Sequence, residues 1–168
     1  VHYNNIFENL LDSFVMFLEN IPFYGYMVMN GDDKNIKKIS KRISRKQITF
    51  GESKNCDYQI INIKASKGIQ NFEIFNNKNN KTHKFRLNIP GKHNVFNASA
   101  SIALSLEEGV PVGAIKKGIA EFSGVGRRYE KHNIEIDSKK IILIDDYGHH
   151  PLEIISNIQA YKEEYPNK

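Results

Sequence analysis

The sequence predicts an α/β protein: part of a parallel sheet carrying an antiparallel strand group, followed by the first β-β-α elements of a second α/β unit. Three observations predict it. Helical and extended patterns alternate from Asn5 to Phe50, the order that builds parallel sheets. Three strand-like runs then follow between Asp57 and Ile89 with no helix between them. Finally, Ser123-Gly-Val-Gly126 breaks the chain before a strand-turn-strand-helix pattern begins, which divides it into residues 1–123 and 124–168.

Each element has a local cause. Asn5 with Glu8 three positions on has the spacing of a capping box, and Ile6, Leu10, Phe14, Phe17, Leu18 and Ile21 recur at helical spacing until Pro22. Phe23–Met29 reads as a buried strand, and Asn30-Gly-Asp-Asp33 as a turn able to cap a short helix. In Lys34–Lys46, Ile36, Ile39 and Ile43 are set among seven basic residues, the pattern of an amphipathic helix with a wet face. Gln47–Phe50 is a short strand. Asp57–Ala65, Gly68–Phe75 and Thr82–Ile89 are strands, the last two joined across the polar loop Asn76–Lys81. Asn94–Glu108 and Val112–Phe122 are helices, punctuated by Gly109 and Pro111. Arg128–Ile136 and Lys139–Asp145 form a hairpin, and Leu152–Tyr165 is helical.

With 168 residues, 40% hydrophobic and 26% charged, the chain can bury a sizeable core. It has no run of eighteen apolar residues to span a membrane and no signal-peptide pattern at its start. The single Cys56 forms no internal disulfide and fits a reducing, cytoplasmic setting. The net charge of +5 raises nucleic acid as a partner, but the lysines are dispersed and no aromatic residue lies between Lys34 and Lys46. The chain begins at Val1 without methionine and stops soon after a new unit starts, so a piece of a longer protein is expected.

Three constellations carry chemistry. In Pro90-Gly-Lys-His-Asn-Val-Phe-Asn97, Asn94 and Asn97 project from one face of a helical turn beside His93. Carboxamides offer donor and acceptor together, as reading a nucleobase edge requires, although capping by Asn94 accounts for one of them. Gly124-Val-Gly-Arg-Arg-Tyr129 sets two arginines after a hinge, either forked phosphate donors or surface charge at a linker. In Asp145-Asp-Tyr-Gly-His-His-Pro151, two carboxylates end an apolar strand, where open α/β sheets bind ligands. Tyr147 and His149 can hydrogen-bond a substrate, while His150 before Pro151 can cap the helix. A metal site is the competing use of this stretch, disfavoured because adjacent turn residues diverge and no third ligand cluster is evident.

GKHNVFNASAS, GVGRRY and DDYGHHP, in that order, resemble the Mur ligase family of ATP-dependent amide-forming enzymes of peptidoglycan assembly. FENLLDSFVMFLENIPFYG near the start is similar to the family's central domain. The resemblance implies the later part of an ATP-binding domain over residues 1–123 and the start of a carboxyl-terminal domain over 124–168. It implies that Asn94 and Asn97 contact adenine with His93 beside them, that Arg127 faces the ATP phosphates, and that Asp145, or Asp146, holds the ribose. Tyr147 and His149 match positions facing the other substrates. Among family members, the chain looks most like the one that joins L-alanine to UDP-N-acetylmuramate by way of an acyl phosphate, with ATP and Mg2+. A tripeptide-recycling member is the alternative; outside the family, the alternatives are a non-catalytic nucleotide-binding domain and a basic nucleic-acid-binding module.

One departure is informative. The G-x-x-x-x-G-K-[ST] phosphate loop is absent from these 168 residues, and the family's metal ligands are expected outside them. The chain by itself is therefore expected to be inactive.

Overall fold

A computed structural model describes residues 7–166, so the Asn5 cap lies outside the described residues. The chain folds as α1 (Phe7–Glu19), β1 (Tyr26–Asn30), α2 (Lys34–Ser40), β2 (Lys46–Gly51), β3 (Tyr58–Ser66), β4 (Ile69–Asn76) and β5 (Lys81–Leu87). Then come α3 (Lys92–Glu107), α4 (Val112–Glu121), β6 (Glu130–Ile136), β7 (Lys139–Asp145) and α5 (Pro151–Glu164). The main sheet has the order β1-β2-β3-β4-β5, and β6 pairs with β7 in a separate hairpin. β1, β2 and β3 run parallel, and β3, β4 and β5 antiparallel, as the change of pattern after Asp57 predicts.

Three boundaries differ from the sequence reading. Phe23 and Tyr24 stand outside β1 and are exposed, because the Gly25 amide closes a turn onto the Pro22 carbonyl at 2.8 Å. The basic helix ends at Ser40, and Lys46 already begins β2. Its cations are partly spent within the fold: Lys38 pairs with Glu8 at 2.5 Å and Arg42 with Asp12 at 2.7 Å, both on α1. The third helix starts at Lys92 instead of Asn94, since Gly91 at φ 96° turns the chain sharply after Pro90.

Only residues 52–57 separate the parallel strands β2 and β3, far fewer than a parallel crossover normally needs. The geometry explains this. β3 starts where β2 ends, and only Phe50↔Tyr58 and Gly51↔Gln59 are in register, so the chain steps sideways without returning. Two carboxylates hold the step. Asp57 accepts from the Thr49 amide and hydroxyl, both at 2.8 Å, and Asp32 accepts from the amides of Glu52 and Ser53 at 2.6 and 3.0 Å.

One face of the sheet is covered along its length, and the other at β1. Ile48, Tyr58, Ile60, Phe72, Ile74, Phe85 and Leu87 meet Val95, Ile102 and Ala103 of α3 and Ile115 of α4. On the other face, Met27 and Met29 pack with Leu11 of α1, with Ile39 of α2 and with Ile43 just beyond it. The second unit has a thinner core. Among the described residues beyond 123, Tyr129 and Ala160 are the buried hydrophobics, and one side of the hairpin leaves Ile141 and Leu143 open.

Candidate functional site

The carboxyl-terminal unit is seated against the first by α5. Ala160 lies over Gly91, where an added Cβ would come within 3.2 Å of the Ala160 methyl. At the far end of the helix, Glu164 accepts from Lys131 Nζ at 2.5 Å and from the Tyr129 hydroxyl at 3.3 Å. The carboxylate also approaches the β3–β4 turn, where a Cβ on Gly68 would fall 2.6 Å from Glu164 Oε1. Burial and Glu164 together push the Tyr129 hydroxyl well above its ordinary pKa, so it remains a donor. Glycines at two turns thus let one helix approach closely.

Between α3, α4 and α5 this docking leaves a cleft of about 790 Å³. His93, Asn94, Asn97 and Ser101 of α3 form one wall, and Glu153, Ser156 and Asn157 of α5 the opposite one. Asp146, Arg128 and Tyr129 close one end, and Ile89, Ile119, Phe122 and Leu152 supply apolar surface. A cleft that sets convergent polar side chains beside apolar surface suits a small ligand with both kinds of edge.

The α3 side chains are ordered by the turn that starts the helix. Asn94 Nδ2 donates to the Pro90 carbonyl at 2.8 Å, and Asn97 Nδ2 reaches Asn94 Oδ1 at 3.5 Å. His93 folds back over Gly91, whose Cβ, if present, would stand 2.6 Å from the imidazole Cε1. Burial lowers the His93 pKa, opposed by Asp146 and Glu163, so the ring is neutral near pH 7 and offers one donor and one acceptor.

The Asp145–His150 stretch divides. Asp146 turns into the cleft, accepting from the Tyr129 amide at 2.8 Å and the Gly148 amide at 2.6 Å. Asp145 points elsewhere and pairs with Arg127 at 3.3 Å. The Arg127 guanidinium stacks 5.3 Å from the Tyr147 ring, which meets His149 edge-on at 5.6 Å. Of the predicted residues, His93, Asn94, Asn97 and Asp146 therefore share the cleft, whereas Arg127, Asp145, Tyr147 and His149 form a second, exposed cluster beside it. His150 is the N-cap of α5, accepting from the Leu152 amide at 3.3 Å, while Glu153 accepts from the amides of His149 and His150.

Sequence reasoning missed Ser156 and Asn157 of the cleft, and of the paired arginines it singled out, Arg128 lines the cleft and Arg127 does not. The helical spacing of Glu153, Ser156 and Asn157 marks them as one face, but nothing local says which face docks. It also missed a grouping made by strand register. Glu130 pairs opposite Asp145, and one ligand atom each from Glu130, His132 and Asp145 lie within 4.8 Å of one another. This set does not fit Mg2+, which takes oxygen ligands in strict octahedral geometry; here one donor is an imidazole and Asp145 is engaged by the Arg127 cation.

No helix among the described residues is long and apolar enough to cross a membrane. The family model for the Mur ligase middle domain matches residues 2–105. UDP-N-acetylmuramate–L-alanine ligases from Vesicomyosocius okutanii and a Psychrobacter species are 41% and 40% identical over 99% of the chain, which spans 36% and 35% of their lengths. The crystal structure of the Thermotoga maritima UDP-N-acetylmuramate–alanine ligase superposes with a TM-score of 0.79 at 28% identity, covering 99% of this chain and 36% of that one. The chain thus spans about a third of the length of the relatives it matches, and its mixed five-stranded sheet, covering helices and small antiparallel hairpin are those of a solved ligase. On its sequence match and its architecture, this chain belongs to the Mur ligase family.

Proposed function

We propose that this chain forms the adenosine side of the ATP site in a ligase that joins L-alanine to UDP-N-acetylmuramate. The observation that carries the reading is the meeting of His93, Asn94, Asn97 and Asp146 on one cleft of about 790 Å³. The amides and the neutral imidazole supply the donor and acceptor pattern of a purine edge, and Ile119, Phe122 and Leu152 the apolar flanks. Asp146, not Asp145, is the carboxylate for a ribose, because its side chain enters the cleft and is aimed by two backbone amides. In this reading the phosphate and the second substrates are assigned to Arg127, Tyr147 and His149, whose side chains touch one another beside the cleft. The names of the two similar ligases favour the alanine-adding reaction over a tripeptide-recycling one.

In the full reaction, ATP with magnesium converts a substrate carboxylate into an acyl phosphate that the alanine amine attacks. These residues bind and orient the nucleotide; the phosphate cradle is not among them, since no G-x-x-x-x-G-K-[ST] occurs in the sequence. Calorimetry with ADP tests the reading: the chain binds ADP, and Asn97→Leu weakens it about tenfold, the loss expected when a buried polar edge goes unpaired. Equal affinity in both proteins overturns it. With ATP, magnesium, UDP-N-acetylmuramate and L-alanine, the 168-residue chain releases no phosphate above blank; alanine-dependent release would show that the cradle is dispensable.

A further inference from the structure

The β6–β7 hairpin gathers three side chains able to ligate a metal, outside the cleft. Glu130 and Asp145 are direct cross-strand partners, and His132 stands two residues further along β6 on the same face. One ligand atom from each lies within 4.8 Å of the other two. Both carboxylates are aimed. Glu130 Oε2 accepts from the Arg127 amide at 2.8 Å, and its Oε1 lies 3.8 Å from His132 Nε2. Asp145 Oδ2 faces Arg127 Nε at 3.3 Å. Like charges directly opposite on paired strands destabilise a hairpin, and here a cation already stands against them. Arg127 reaches Glu130 with its backbone amide and Asp145 with its guanidinium, so this corner of the hairpin draws positive charge.

We infer that Glu130, His132 and Asp145 form a binding site for Zn2+ or a neighbouring first-row divalent cation, which displaces the Arg127 guanidinium from Asp145. The donor set selects this class of ion. One imidazole with two carboxylates suits zinc, whereas Mg2+ and Ca2+ take oxygen ligands. Ligand atoms about 2.0–2.2 Å from one tetrahedral ion stand roughly 3.3–3.6 Å apart, so the 3.8 Å between Glu130 and His132 closes by a small side-chain rotation. The three side chains are 38–44% exposed, which leaves them room for that rotation and leaves a fourth position to water. The backbone beneath them is set by the paired strands, from Glu130↔Asp145 to Ile136↔Lys139, and sites built on strands hold their spacing better than sites on loops. None of the three residues lines the cleft, so the inference stands apart from the adenosine reading.

The test is calorimetry of the 168-residue chain with zinc chloride in a non-chelating buffer, with magnesium chloride as the comparison. One zinc ion is expected to bind per chain in a saturable way, and magnesium at the same concentration to leave that binding unchanged. His132→Ala and Asp145→Asn each weaken zinc at least tenfold, since even the outer partners of metal ligands contribute that much. Arg127→Ala strengthens zinc severalfold, because the competing cation is gone. His149→Ala and His150→Ala, at the neighbouring turn, leave zinc affinity as it was. By NMR, the His132 ring resonances move with zinc occupancy, while circular dichroism shows the same fold in every variant. Absence of saturable zinc binding overturns the proposal, as does undiminished affinity in His132→Ala. Loss of binding in the His149 or His150 variant instead places the ion on the turn and overturns it too. Unchanged affinity in Arg127→Ala overturns the displacement of the guanidinium.

Discussion

Asp146 and Tyr129 lie 17 residues apart and are joined by a 2.8 Å hydrogen bond from the Tyr129 amide to the Asp146 carboxylate. With the 2.6 Å bond from Gly148, one side chain ties the linker after Gly124 to the end of β7 and to the turn before α5. The same carboxylate faces the cleft. Asp146→Ala is expected to strand two half-buried amides at about 1–3 kcal/mol each, and to weaken ADP at least tenfold. Asp145→Ala removes an open ion pair of the kind that contributes about 0–1 kcal/mol, so its effect on ADP is at most about fivefold. Urea titration and calorimetry on both variants measure the contrast, and equal effects would contradict the assignment.

His93 makes stability depend on pH in a defined direction. Its pKa in the folded chain lies below the ordinary 6.5, chiefly through burial. Above that ordinary value both the folded and unfolded forms hold it neutral, and its contribution is fully present. As pH falls below 6.5 the unfolded chain takes up the proton first, so stability is lost until pH passes the folded value. His93→Gln should flatten this part of the stability curve, and the His93 ring resonance should titrate below 6.5 by NMR.

Two left-handed glycines separate backbone strain from crowding. Gly109 at φ 72° has nothing within 4 Å of a Cβ, so Gly109→Ala costs only the backbone strain, about 1–2 kcal/mol. Gly91 at φ 96° would also drive a Cβ into the His93 ring and toward Ala160. Gly91→Ala should therefore cost more in urea unfolding and weaken ADP, whereas Gly109→Ala leaves ADP binding unaltered.

Glu164 is expected to set how α5 docks. Its carboxylate joins Lys131, Tyr129 and the Gly68 turn, with a side chain only 10% exposed. Glu164→Ala should broaden the distance between spin labels placed at exposed Asn79 and Lys140, and weaken ADP severalfold without unfolding the main sheet. An unchanged distance distribution would show that Ala160 alone seats the helix.

The short parallel step gives a test of the fold itself. Asp57→Ala removes the acceptor for the Thr49 amide and hydroxyl, and should lower stability by about 1–3 kcal/mol. Ile74→Ala, at a fully buried position, should cost about 2–5 kcal/mol through the cavity it leaves. Both are read from the urea midpoint at constant slope.

The sequence by itself determined the elements and their order, because their causes are local. Helical spacing in α1, alternation in β4 and β5, Gly109 and Pro111 between α3 and α4, and His150-Pro151 at the start of α5 are all short-range signals. It also placed Asn94 and Asn97 on one helix face and showed that the Asp145–His150 stretch ends a strand. What it left undivided was that stretch. Asp145 and Asp146 are neighbours in the chain, but successive residues at a strand end project to opposite sides, and only the docking of α5 decides which side becomes a cleft. The same docking chose Arg128 over Arg127 for the cleft and brought in Asn157. The grouping of Glu130, His132 and Asp145 likewise awaited the β6–β7 register. Local propensity spans a few residues, whereas a site is made where elements meet, and that meeting is set by which apolar faces bury one another and where Gly68 and Gly91 leave room for it.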